Sequence, residues 1–133
     1  MLSKNPMVKA IQVAREAARK AIEATYFGSL NVTEQRKGKD EKSKLTKTEL
    51  VVVLENQPCK LSFEPVKTAA ISDTAAAVTQ ITKLFVSPDI SIKPGSKITV
   101  TQDGITTDYT HSGVPAVYPT HQEILLELFE RWA

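Results

Sequence analysis

Lys97-Ile98-Thr99-Val100-Thr101-Gln102-Asp103-Gly104-Ile105-Thr106-Thr107-Asp108-Tyr109 sets two alternating runs rich in threonine and β-branched residues on either side of Asp-Gly. Asp-Gly accepts the positive φ angles of a primed two-residue turn, so the stretch predicts a tight hairpin. Pro94-Gly95 just before it marks a second turn. A period of two around a hairpin turn decides for a β fold.

Upstream, the same period recurs. Leu30-Asn31-Val32-Thr33-Glu34 alternates, Thr48 to Glu55 carries the run Leu50-Val51-Val52-Val53-Leu54, and Lys60 to Glu64 alternates around Leu61 and Phe63. The β-branched run predicts a buried strand, broken by Asn56-Gln57-Pro58. Val78 to Val86 predicts another strand, and Val52 and Leu61 are expected in the core. Downstream, His111 to Thr120 holds Gly113, Pro115 and Pro119 and predicts a loop with a short extended piece at Ala116-Val117-Tyr118. Thr120-His121-Gln122-Glu123 has capping-box spacing, so local propensity slightly favours a C-terminal helix, while the alternation of Ile124, Leu126 and Leu128 fits a strand.

The first segment has the other period. Asn5 can cap and Pro6 suits the first helical position of a helix over Pro6 to Tyr26. Met7, Ile11, Ala14, Ala18, Ala21 and Ile22 share one face, and Lys9, Gln12, Glu16, Arg19, Lys20 and Glu23 the other. Gly28 suits a stop. The alanine-rich stripe is expected to dock against a sheet or a neighbouring subunit. Together these elements predict a mainly β chain: one domain over 1–133, with an N-terminal helix (1–27) and a small β-barrel (28–133) bearing loops at 36–47 and 65–77.

Length and composition agree with that plan. The 133 residues suffice for one modest core, and 41% hydrophobic with 24% charged residues is ordinary for a globular chain. No apolar run approaches the roughly 20 residues of a spanning helix, and no basic-then-apolar leader is evident, so neither membrane insertion nor secretion is expected. One cysteine precludes an internal disulfide, and Cys59 with His111 and His121 is too sparse for a zinc site, so no metal is expected.

Charge is unevenly spread. Residues 1–47 hold 11 lysines and arginines against 5 acids, a net of +6, and residues 48–133 carry a net of −4. Six of the cations, Arg36, Lys37, Lys39, Lys42, Lys44 and Lys47, fall in a stretch without apolar periodicity. It predicts a charged loop and a candidate contact with another subunit or a polyanion. Pro65 to Ala77 is rich in Ala, Ser and Thr with little to bury, and predicts a long excursion.

Catalytic signals are weak. Lys93-Pro94-Gly95-Ser96-Lys97 lacks the spacing of a phosphate loop and reads as a turn. His121 and Glu123 would share a strand face, but no nucleophile accompanies them. Ser96 and Ser112 lack a nucleophile elbow. Cys59 beside an apolar strand reads as an inert core thiol. No catalytic residue and no cofactor site is expected.

Four blocks carry a resemblance. Pro58-Cys59-Lys60-Leu61-Ser62-Phe63, Lys83 to Ile90 (KLFVSPDI), Ile92 to Val100 (IKPGSKITV) and Ser112 to Glu123 (SGVPAVYPTHQE) resemble, in order and spacing, the minor capsid or head-closure proteins of tailed phages and prophages of Gram-positive bacteria. The resemblance spans about residues 48–133. Relatives often have Arg after the cysteine and an acid in the Ser-Gly-x-Pro turn, where this chain has Lys60 and Val114. The resemblance implies a non-enzymatic β-barrel subunit, without cofactor, of a dodecameric ring beneath the portal and adaptor proteins. Such a ring closes the DNA-filled head and carries the tail proteins, and packaged DNA passes through its channel. It implies assembly in the bacterial cytoplasm, residence at the virion neck, and a C-terminal strand instead of a helix. It also sets residues 65–77 where such proteins place a channel-facing loop, which makes Thr68, Ala69, Ala70, Ile71, Ser72, Asp73 and Thr74 the candidate channel residues. Two other readings compete: a nucleic-acid-binding small barrel, which would need Phe63, Phe85 and Tyr109 on one face, and a tail-side adaptor.

Overall fold

The computed structural model describes residues 5–39, 41–67 and 78–133. Its elements are a helix α1 (Pro6–Glu23) and strands β1 (Gly28–Lys39), β2 (Thr46–Lys67), β3 (Val78–Val86), β4 (Lys97–Gln102), β5 (Ile105–Thr110), β6 (Ala116–Val117) and β7 (Gln122–Leu128). The strands form one antiparallel sheet in the order β3-β2-β1-β4-β5-β7-β6. β7 also pairs with β3, from Thr82 opposite Leu126 to Val86 opposite Gln122. Six strands thus close into a barrel, with β6 attached to the rim of β7.

The core follows from the period of two. Leu30 and Val32, Cys59 and Leu61, Leu84 and Val86, Ile98 and Val100, Tyr109, and Ile124 and Leu126 point inward from successive strands, with Ile92 closing one end. The turn at Asp103-Gly104 has φ of 53° and 75°, the primed geometry that Asp-Gly favours. The C-terminus is the strand β7: burial of Gln122, Ile124 and Leu126 at every second position outweighs the capping-box signal. The Gln122 amide seals the β7 start by donating to the carbonyls of Ser87 and Ile90.

Three local expectations are corrected. Asn56-Gln57-Pro58 does not break the chain into two strands. It lies inside the 22-residue β2, where the register against β1 slips twice between Leu30 and Thr33. Asn56 takes the left-handed φ of 52°, and its N–H is held 2.8 Å from the Asn31 side-chain oxygen, so a bulge replaces the turn. Second, both ends of the expected loop 36–47 are strand: residues 36–39 belong to β1 and residues 46–47 to β2, with a turn at 41–43 between them. Arg36 pairs with Glu49, Lys37 with Thr48, Gly38 with Lys47 and Lys39 with Thr46, as a continuation of the β1–β2 ladder. Backbone pairing needs no apolar periodicity where both faces meet solvent. Third, Val52 is not core: its side chain is 51% exposed, whereas Leu61 is 7% exposed as expected.

The helix is shorter than expected and packs differently. Asn5 caps it by accepting from the Met7 N–H at 2.9 Å, and the chain leaves at Ala24, where the Thr25 hydroxyl donates to the Ile22 carbonyl. No residue of α1 is buried, so its apolar stripe does not dock on the chain's own sheet. Gly28 is no helix stop. It opens β1 at a point where a Cβ would stand 3.0 Å from Gln102 Oε1 and 3.1 Å from the Cys59 carbonyl.

Candidate assembly interface

β2 is longer than the barrel it helps to build. Pairing of β1 with β4 ends at Thr33 opposite Lys97, and pairing of β3 with β7 ends at Thr82 opposite Leu126. Beyond the first limit, β1 and β2 run on together for six further pairs to Lys39 and Thr46, an arm about 20 Å long at the usual strand rise. Beyond the second, β2 and β3 run on from Glu64 opposite Ile81 to Lys67 opposite Val78. The two extensions leave the barrel in opposite directions along β2.

The six expected contact cations all lie on the first extension. Arg36 Nη2 stands 3.3 Å from Glu34 Oε1, and Lys47 Nζ stands 3.7 Å from Glu49 Oε1. Lys93 Nζ approaches the same Glu34 oxygen at 3.8 Å, which ties the root of the arm to the loop before β4. Lys37, Lys39 and Lys44 have no carboxylate partner among the described residues, and Lys42 lies at the exposed turn. Opposite pairing puts Thr33, Gln35, Lys37 and Lys39 on one face with Val52, Leu50, Thr48 and Thr46. This face continues the outer surface of the barrel, because Leu30 and Val32 on the same strand point inward. Leu50 is 57% exposed on it. The arm therefore presents an apolar root and a cationic outer half.

The apolar part of this surface is what sequence reasoning missed, since Leu50 to Leu54 has the composition of a core strand. The tether of α1 was also missed: Arg19 donates to Ser87 and Asp89. The expected channel residues Thr68, Ala69, Ala70, Ile71, Ser72, Asp73 and Thr74 lie outside the described residues, between the paired ends Lys67 and Val78 of the second extension.

The histidines, Glu123 and Cys59 each have defined surroundings. His121 and Glu123 do meet, Nε2 to Oε2 at 2.9 Å, but Thr120 and Tyr118 cover the imidazole: the Thr120 hydroxyl is 3.0 Å from Nδ1, and the Tyr118 ring stacks at 4.8 Å. Lys83 bridges Glu123 at 3.3 Å and Glu64 at 3.6 Å. These partners hold the Glu123 carboxyl below the ordinary carboxylate range, the His121 bond foremost. His111 is buried, with Nε2 2.8 Å from the Ile92 carbonyl, bracing the loop before β4. Burial pushes the Cys59 thiol up to about 12. Lys93 to Lys97 forms a turn, with Gly95 at φ 84° and its N–H on the His111 carbonyl. Among the described residues no group of three or more His, Cys, Asp or Glu could hold a metal ion. The three aromatics required for base stacking do not share a face: Tyr109 is in the core, Phe85 lies beside His121 on the outside, and Phe63 is at the rim of the second extension. No described helix is long and apolar enough to cross a membrane.

No protein-family model matches the chain, and no curated protein does. Among solved structures, it is similar to the phage-like element PBSX protein xkdH from Bacillus subtilis, with 10% sequence identity and a TM-score of 0.47, over 75% of this chain and 91% of that one.

Proposed function

We propose that the chain is a non-catalytic structural subunit of a tailed-phage head–tail connector, forming a homo-oligomeric ring between the portal–adaptor complex and the tail, and closing the DNA-filled head. The observation that supports this most is the passage of β2 beyond the barrel at both ends. A subunit between two partners needs a rigid body with contact surfaces projecting both ways, and a single strand that runs through its bulge at Asn56 into both extensions joins them. The four sequence blocks behind the head-closure resemblance contribute much of the barrel wall, including Cys59, Leu61, Leu84, Val86, Ile98, Val100 and Gln122. In this reading the cationic arm serves assembly, and the channel-residue expectation for Thr68 to Thr74 stays a proposal outside the described residues.

The test is negative-stain microscopy of the chain mixed with a portal–adaptor complex. An added ring at the tail-proximal end is the expected result. Complexes without added density at saturating chain would overturn the reading, and salt-dependent binding of the isolated chain to DNA would move it to the nucleic-acid class. The channel assignment has its own test. Heads built with residues 69–76 replaced by two glycines should form rings yet lose packaged DNA; full retention would make that segment a spacer.

A further inference from the structure

We propose that copies of the chain associate head to tail, the outer face of the β1–β2 arm of one copy lying on the outer β5–β7 wall of the next. The inference rests on the connector reading above and names the contact between neighbouring subunits.

The first ground is position. Around the closed sheet the order β3-β2-β1-β4-β5-β7 sets β2 opposite β5 and β1 opposite β7. The arm thus grows from one side of the barrel, and the β5–β7 wall is the diametrically opposed side. Two different surfaces on opposite sides of one subunit make a heterologous contact, which closes into a ring when the rotation between copies fits.

The second ground is complementary charge that each surface leaves unpaired. On the arm, Lys37 and Lys39 have no carboxylate partner among the described residues. On the opposite wall, the acidic partners available are Asp108 and Glu127. Both are exposed, and both take hydroxyl hydrogen bonds, from Thr99 at 2.6 Å and from Ser112 at 3.3 Å, with no cation bound among the described residues. Like charges within each surface repel, and a neighbour of opposite sign relieves both.

The third ground is apolar area. Leu50 and Val52 lie exposed beside the arm lysines, and Leu125 lies 61% exposed on the outer side of β7, two residues from Glu127. Leu125 has Lys83 as its cross-strand partner, and Lys83 is already bound to Glu123 and Glu64, so the charge left unpaired on this wall is that of Asp108 and Glu127, and the apolar residues with their charged surround have the arrangement of an interface centre with a polar rim. A nucleic acid would satisfy the lysines but not Leu50 and Val52, and it would leave Asp108 and Glu127 unmatched.

The experiment is a charge swap read by analytical ultracentrifugation of the full chain over concentration and salt. Wild type should self-associate, more weakly as salt rises. K37E/K39E and D108K/E127K should each weaken association by about tenfold or more, and the fourfold variant should recover to within about threefold of wild type. The four changed positions and the contact residues Leu50, Val52 and Leu125 are all exposed, and unchanged thermal melts confirm that each variant folds. A wild type that stays monomeric at millimolar concentration overturns the proposal, as does a fourfold variant no better than either double. Ring addition to portal–adaptor complex separates this failure from that of the connector reading. Rings that form equally with both doubles refute the contact alone, whereas swap-sensitive self-association without ring addition refutes the connector reading alone.

Discussion

Arg19 reaches Asp89 across 70 positions of chain, its Nη2 2.7 Å from the carboxylate and also 2.7 Å from the Ser87 hydroxyl. Glu23, one turn later, accepts from Arg19 Nε at 3.1 Å and fixes the guanidinium. With no residue of α1 buried, this cluster is the polar tether of the helix to the barrel. The pair is largely solvated, and such pairs contribute below about 1 kcal/mol. Arg19→Ala should therefore leave the barrel's Tm within a few degrees (~4–8 °C per kcal/mol for a small domain) while amide exchange across Pro6–Glu23 rises sharply. A large fall in Tm would mean that the helix is integral to the folded barrel.

Leu61 and Val52 belong to the same strand and should respond oppositely to aspartate. Leu61 is buried between Leu84 on β3 and the Gln102 amide, which pairs with both the N–H and the carbonyl of Leu61. Leu61→Asp buries an unpaired charge at a cost of several kcal/mol and should unfold the domain. Val52→Asp faces solvent and should cost about 1 kcal/mol or less, chiefly in strand propensity. Circular-dichroism melts of the two variants decide it; equal destabilisation would contradict the placement of Val52 outside the core.

That contrast shows what was legible in the sequence. The β4–β5 hairpin could be read because Asp103-Gly104 has one conformational meaning between alternating runs. The core positions of β3 and β4 could be read because each strand buries one face, whereas the capping-box spacing at Thr120 to Glu123 competes with the alternation of β7, and the resemblance decides for the strand. Leu50 to Leu54 could not, since a chain that hides apolar residues in its own core and one that keeps them for a neighbour use the same residues. Nor could Arg36 to Lys39, where the ladder is made of backbone hydrogen bonds that composition does not encode. Asn56 misled for a related reason: a left-handed residue serves a bulge as well as a turn, and only the Asn31 contact distinguishes them. The cationic residues of the candidate interface were evident in advance; their apolar companions were not.

Glu123 gives the fold a defined response to acid. The hydrogen bond to His121 foremost, then Lys83, depress its pKa, against partial burial that raises it. A carboxyl whose pKa is lower folded than unfolded stabilises above its unfolded value, and that contribution is lost as pH falls through the folded value. Glu123→Gln should therefore be least stable relative to wild type near neutral pH, with the gap closing through the acid range. Parallel denaturation curves at a series of pH values measure it. A gap that widens on acidification would contradict the assignment.

Cys59 should be chemically silent in the native state. It is fully buried, and burial raises its thiol to about 12, so thiolate is scarce at pH 8. Ellman's reagent should report no reactive thiol in native protein and one in denaturant. Rapid native labelling would show that the barrel opens near Gly28 and Cys59.

The arm itself should be removable. Gln35 and Leu50 are direct partners, so Asn-Gly placed between them, with residues 36–49 deleted, closes the ladder with a two-residue turn of the type that β4–β5 already uses. The deletion removes Arg36, Lys37, Lys39, Lys42, Lys44 and Lys47 together and touches no core residue. The root contact of Glu34 with Lys93 survives, since both lie outside the deletion. The shortened chain should therefore fold with a Tm within several degrees of wild type. A shorter hairpin loop, which lowers the closure entropy, offsets the lost strand pairs. It should fail to self-associate and fail to add a ring to portal–adaptor complex, even at low salt, because the apolar root at Leu50 and Val52 has lost the charges that orient it. A folded, truncated subunit that still builds rings at wild-type strength would show that the arm serves a partner other than its neighbour, and the subunit contact would have to be sought on the remaining barrel wall.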